Sequence, residues 1–327
     1  MTWYVIARAI YEWLFTPYAN PIKMEQYGSW KTKQIFEPMY RCCGPHIQTI
    51  YDTMHLPWRR SKPVVNYTRD YMMSRHKVMV ALDWVNNECD KEVVLICPGI
   101  GGRSTDISVL NLVSHFSKTF SVCVYNRENT LALPSKANVQ ELHDVIQCIT
   151  HPNRHGLARV VHVVGISASG NLVLKYAGEV ENNRVKSIIA ISNAVDLVAM
   201  RSKFTFEKWV DYALYEKNGH WFHTPSIIAL ENAMLYRDTS YTSIYDYYSK
   251  NSSRHDLKHI VTPTLYLASR DDPFLDKHQF ELMIEATKEN PYINVILTSH
   301  GGHVGWVSRT TNAWYTNVID EFIQRYN

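Results

Sequence analysis

Cysteine is scarce in this chain: six residues in 327, namely Cys42, Cys43, Cys89, Cys97, Cys123 and Cys148. None forms the paired C-x-x-C spacing of a structural zinc site, which excludes a small module built on metal or disulfides. Cys97 and Cys123 fall inside apolar, strand-like runs, where a buried free thiol is expected. Charge of one sign is lacking too. With 34 basic and 31 acidic residues the net charge is +3, which argues against nucleic acid as a partner. Internal repeats, low-complexity tracts and long linkers are absent. No secretory leader is visible, so a reducing compartment is expected, cytoplasmic or at a membrane surface. Long hydrophobic runs are also missing. The strongest, Met1 to Phe15 (MTWYVIARAIYEWLF), is shorter than the ~20 residues of a membrane span and carries Arg8 and Glu12. As a helix it gathers Trp3, Ile6, Ile10, Trp13 and Leu14 on one broad face, with Arg8 and Glu12 paired elsewhere. Peripheral membrane contact through residues 1–15 and docking on the protein's own body are both open readings. Oligomeric state is not legible.

What is present is material for a large core, with 46% hydrophobic residues. Residues 1–70 read as an irregular, partly helical lead-in. From residue 71 to 327, short apolar runs alternate with helical spacing. Val78–Val85, Glu92–Cys97, Phe120–Tyr125, Arg159–Val164, Val185–Ile191, Thr264–Ala268 and Asn294–Leu297 read as strands, and Val139–Ile149 and Leu172–Glu179 as helices. This rhythm predicts an α/β fold with a mostly parallel central sheet covered by helices on both faces. Residues 198–260 break the rhythm. They are rich in Tyr, Trp and charge without a clear strand, and read as an inserted helical cap.

The chemistry centres on Val163-Val164-Gly165-Ile166-Ser167-Ala168-Ser169-Gly170-Asn171. A buried strand ends at a glycine, a serine follows among small residues, and a helix begins. This is the setting of a G-x-S-x-G nucleophile elbow, with Ser169 where the second glycine usually stands. Close backbone approach at a strained turn requires small neighbours. A serine hydroxyl needs a histidine to take its proton and an acid to orient that histidine. Both types follow in the order nucleophile, acid, base, each just past a strand. Asp271-Asp272-Pro273 is a carboxylate pair in a turn, of which Asp272, before the proline, is preferred. His300 and His303 lie in a glycine-flanked loop, and spacing alone leaves the choice between them open. Pro98-Gly99-Ile100-Gly101-Gly102 lacks the Lys-Ser/Thr ending of a phosphate-binding loop. It sits where an oxyanion hole draws its second N–H, so Ile100 and Ala168 are the candidate donors. The expectation is a serine hydrolase acting on a carboxylic ester.

Further motifs sharpen this. Gly44-Pro45-His46-Ile47-Gln48-Thr49, Leu82-Asp83-Trp84, Tyr125-Asn126-Arg127, Ile191-Ser192-Asn193, Tyr247-Tyr248, Ser252-Ser253 and Gly301-Gly302-His303-Val304-Gly305 join those already named. From about Gly44 onward the chain resembles the α/β-hydrolase superfamily, in particular its abhydrolase-domain branch of lipases and acyltransferase/esterases. The resemblance implies Ser167 as nucleophile, Asp272 as acid and His303 as base. It also implies acyl-lipid esters such as monoacylglycerols as small-molecule substrates, and no metal or organic cofactor. After Asn126-Arg127 the branch continues with glycines, where this chain has Glu128-Asn129-Thr130-Leu131-Ala132. Transfer of the acyl group to an alcohol, and ligand binding without catalysis, are the alternative functions.

Overall fold

The apolar runs become strands of one sheet. A computed structural model describes residues 2–15, 22–39, 44–51, 63–77, 79–88, 90–127, 136–151, 159–201, 241–308 and 313–326. Nine strands are described: β1 (Met24–Tyr27), β2 (Thr68–Met73), β3 (Met79–Val85), β4 (Val93–Cys97), β5 (Ser121–Asn126), β6 (Val161–Ile166), β7 (Val185–Ile191), β8 (Thr264–Ser269) and β9 (Ile293–Thr298). They lie in the order β1-β9-β8-β7-β6-β4-β5-β3-β2. Neighbours from β5 through β9 are parallel, while β1, β3 and β2 join antiparallel at the two edges. The described helices are α1 (Thr2–Phe15), α2 (Pro45–Ile50), α3 (Ile107–Phe116), α4 (Lys136–Thr150), α5 (Ala168–Glu179), α6 (Leu197–Arg201), α7 (Ile244–Asn251), α8 (Lys277–Glu289) and α9 (Trp314–Arg325).

Successive side chains of a strand face opposite sides, so a strand covered on both sides must be apolar throughout. Every residue of β4, β6, β8 and β9 is buried. Val93, Leu95 and Cys97 of β4 enter one core layer with Leu142 of α4, Leu172 of α5 and Phe280 of α8. Val94 and Ile96, pointing the other way, meet Leu112 of α3 and Phe322 of α9. Cys97 and Cys123 are buried free thiols, and burial pushes both upward in pKa. The mostly parallel sheet flanked by helices is the predicted architecture. The insertion read at 198–260 lies largely outside the described residues, as do Glu128–Ala132, Cys42, Cys43 and Cys89.

Three local differences have physical causes. The elbow helix starts at Ala168 rather than Leu172, because Ala168, Ser169 and Gly170 carry no apolar periodicity yet are helical and buried. β1, with sequence MEQY and no alternation, has no strand signal of its own and is a strand because β9 supplies its ladder. In α1, Glu12 faces inward. Arg8 Nε is 4.0 Å away, at the limit of an ion pair. Glu12 Oε2 instead accepts the backbone N–H groups of His46 (2.9 Å) and Ile47 (3.1 Å) at the start of α2. The first N–H groups of a helix lack partners within it, so a buried carboxylate there is well satisfied. With Ala9 and Glu12 buried, Ile10, Tyr11, Leu14 and Phe15 are exposed. Among the described residues no helix is long and apolar enough to cross a membrane.

Candidate active site

In an open parallel sheet, ligands bind beyond the carboxyl ends of the strands where the chain order reverses. Here β4 has β5 on one side and β6 on the other, so the reversal falls at β4. Cys97 pairs with Gly165 in the ladder. The Pro98–Gly102 loop and Ser167 therefore leave the sheet side by side.

Ser167 has φ 53° and ψ −121°, a left-handed backbone that a side chain adopts only under constraint. Its N–H donates to Ile191 O at 2.8 Å, tying the turn to β7. A Cβ on Gly165 would fall 2.3 Å from Ser169 O, so the next-to-last residue of β6 must be glycine for the helix to start so soon. The departure at Ser169 has a structural use. Its Oγ donates to Pro98 O at 2.5 Å and pins the glycine-rich loop to the elbow. In that loop, a Cβ on Gly99 would lie 3.1 Å from Ser167 Cβ. Ile100 is partly buried against the core, and Ala168 opens α5 with its N–H in the helix's first turn.

The other two residues arrive from β8 and β9, where Ser269 and Thr298 are paired neighbours. The structure brings Ser167, His303 and Asp272 into one hydrogen-bonded line. His303 Nε2 is 2.8 Å from Ser167 Oγ, and His303 Nδ1 is 2.8 Å from Asp272 Oδ2. Asp272 is fully buried at its side chain and accepts the Phe274 N–H at its other oxygen, 2.8 Å. An acceptor-only carboxylate on Nδ1 fixes the proton there and leaves Nε2 free to accept from the hydroxyl. The Phe274 ring flanks the imidazole with centroids 4.3 Å apart. His300 is turned to Ser299 Oγ at 2.9 Å.

Asp271 is a hydrogen-bonded neighbour of the line. Its Oδ1 accepts the Gly302 N–H at 2.9 Å and the Ser269 hydroxyl. Burial raises its pKa, opposed by those two hydrogen bonds.

Positions without an assigned role in the sequence also support the site. Ser192 Oγ accepts the Val304 N–H at 3.2 Å, and Gln48 and Thr49 reach the His303 loop from α2. Asn126 donates to Asp83 Oδ2 at 2.9 Å and accepts the Ser104 N–H at 3.2 Å, just past the glycine-rich loop. Those partners lie far apart in the chain, so no local spacing announces them. Among the described residues no group of three or more His, Cys, Asp or Glu side chains could hold a metal ion.

No protein-family model matches the chain. Curated relatives do. Human phospholipase ABHD3 is 26% identical over 318 residues, covering 83% of this chain and 75% of that protein. The Danio rerio monoacylglycerol lipase ABHD2 is 26% identical over 325 residues, covering 84% and 72%. Among solved structures, an esterase of Pyrococcus furiosus superposes with a TM-score of 0.58 at 13% identity, over 80% of this chain and 91% of that one. The chain has the α/β-hydrolase fold and is similar to lipases of the abhydrolase-domain branch, and with these relatives it is a serine ester hydrolase.

Proposed function

We propose that Ser167 is the nucleophile, His303 the general base and Asp272 the orienting acid of this hydrolase, with acyl-lipid esters such as monoacylglycerols as substrates. The observation that carries the reading is the unbroken line from Ser167 Oγ through both nitrogens of His303 to Asp272. As Ser167 Oγ attacks the ester carbonyl, its proton passes to His303 Nε2, and buried Asp272 stabilises the imidazolium. The carbonyl oxygen becomes an oxyanion facing the Ile100 and Ala168 N–H groups, each donor typically contributing about 3 kcal/mol. His303 returns the proton to the leaving alcohol as the C–O bond breaks. Water, deprotonated by the same imidazole, then releases the fatty acid from Ser167.

The lipid class is supported by what the relatives are named for, a phospholipase and a monoacylglycerol lipase. The apolar residues exposed on α1 suit peripheral contact with a lipid surface. A fluorophosphonate probe should label the protein, and Ser167→Ala should abolish labelling together with monoacylglycerol hydrolysis. Unchanged turnover in that variant rejects Ser167 as nucleophile. Turnover confined to short soluble esters rejects the lipid substrate.

A further inference from the structure

His303 sits on a loop, and a general base must be held to a fraction of an ångström from its nucleophile. Asp271 and Ser192 hold the N–H groups of Gly302 and Val304 on either side of it, and the hold on His303 itself comes from α2, an element far away in sequence. Thr49 Oγ1 donates to Pro45 O at 2.6 Å and accepts the backbone N–H of His303 at 2.9 Å. Gln48 Oε1 accepts the N–H of Val307 at 2.6 Å. The loop is thus gripped at the base itself and four residues beyond it.

Backbone packing makes the grip close. Gly302 has φ +59°, and a Cβ on it would lie 2.5 Å from Pro45 O. A Cβ on Gly305 would lie 2.4 Å from Gln48 O. Gly302 and Gly305 are therefore the imprint of α2.

α2 has only six residues, too few to be stable alone. Its N-terminus is held by Glu12, buried on α1, whose Oε1 is also 2.7 Å from His46 Nδ1. We infer that Thr49 and Gln48 are positioning residues for His303, with Glu12 as the outer anchor of the helix that bears them. This rests on His303 being the base.

Thr49→Val keeps the shape and removes the acceptor, leaving the His303 N–H unsatisfied. Thr49→Ser keeps the hydroxyl. On folded enzyme, quantified by intact mass and unfolding, Thr49→Val should lower kcat about tenfold or more. KM should stay within about twofold, since substrate binding is not touched. Fluorophosphonate labelling should slow in parallel, and Thr49→Ser should recover most of the loss. Glu12→Gln should shift kcat in the same direction by a smaller factor, and it is the variant to be read if Thr49→Val does not fold. Wild-type kcat in Thr49→Val, a loss carried by KM alone, or a serine variant no better than valine overturns the inference. So does unchanged kcat in Glu12→Gln when that variant is the one read. Ser167→Ala separates the two readings. If it stays active, the triad assignment fails. If it is dead while Thr49→Val has full kcat, only the positioning role fails.

Discussion

Ser169 occupies the place where the elbow pattern usually has glycine, and its hydroxyl joins the two loops on which the proposed oxyanion hole depends. Glycine would fit there but would release the Pro98 carbonyl, and a hydrogen bond of this kind contributes about 0.5–1.5 kcal/mol. Ser169→Gly should therefore lower kcat/KM by roughly three- to tenfold, with weaker inhibition by an oxyanion-mimicking boronic acid. An unchanged inhibition constant would show that the loop holds itself. Asp272→Asn is a different kind of change. An amide can turn its N–H₂ toward Nδ1 and reverse the tautomer of His303, so kcat should fall by about 10⁴ under the triad reading. A small effect would point to Asp271 as the orienting acid. Ser167, the Asp271-Asp272 pair and the His300–His303 loop were legible in the sequence because each follows an apolar strand at a turn, whereas the choice of His303 over His300 came only from the family resemblance. Thr49 was not. It meets His303 from 254 positions away, and no local pattern records such a contact.

At the scale of elements, the strands buried on both faces were readable as apolar runs, with ends shifted by one or two residues. The pieces that depend on a partner were not readable. β1 is a strand only beside β9, and the first turn of α5 is built from small residues with no hydrophobic period. Helix α1 was readable as a helix but not in its facing. Amphipathic spacing puts apolar residues inward, yet the demand of α2 for a buried acceptor turns Glu12 in and leaves Leu14 and Phe15 out. Replacing both by serine should reduce co-sedimentation with phosphatidylcholine vesicles at least severalfold, while hydrolysis of a soluble p-nitrophenyl ester stays at the wild-type rate. Equal co-sedimentation of variant and wild type would remove α1 as a lipid contact.

Over the whole molecule, hydrogen-bonded carboxylates make stability depend on pH in two opposed ways. Burial pushes Asp83 up in pKa, but hydrogen bonds from Arg69, Ser104 and Asn126 together hold it below its ordinary value. Glu25 is lowered chiefly by its hydrogen bond to Arg270. Such groups favour the folded state above the ordinary carboxylate range of about 4, and that contribution is lost as pH falls through their lowered values. Asp271 has the opposite sign. Its raised pKa means the folded state binds the extra proton, so its contribution to stability declines as pH rises from about 4 toward neutrality. In thermal unfolding, the Tm of Asp271→Asn relative to wild type should therefore climb between about pH 4 and 7. A pH-independent difference would contradict the raised value.

The edge pairing of β1 with β9 has a consequence during synthesis. Lys23 N donates to Ser299 Oγ across 276 positions of chain, beside the Met24–Thr298 pair. On a ribosome adding roughly 5–20 residues per second, β1 waits on the order of tens of seconds for β9 to emerge. Throughout that interval Met24–Tyr27 lacks its ladder partner, and this edge of the sheet can close only once Ile293–Thr298 has been made.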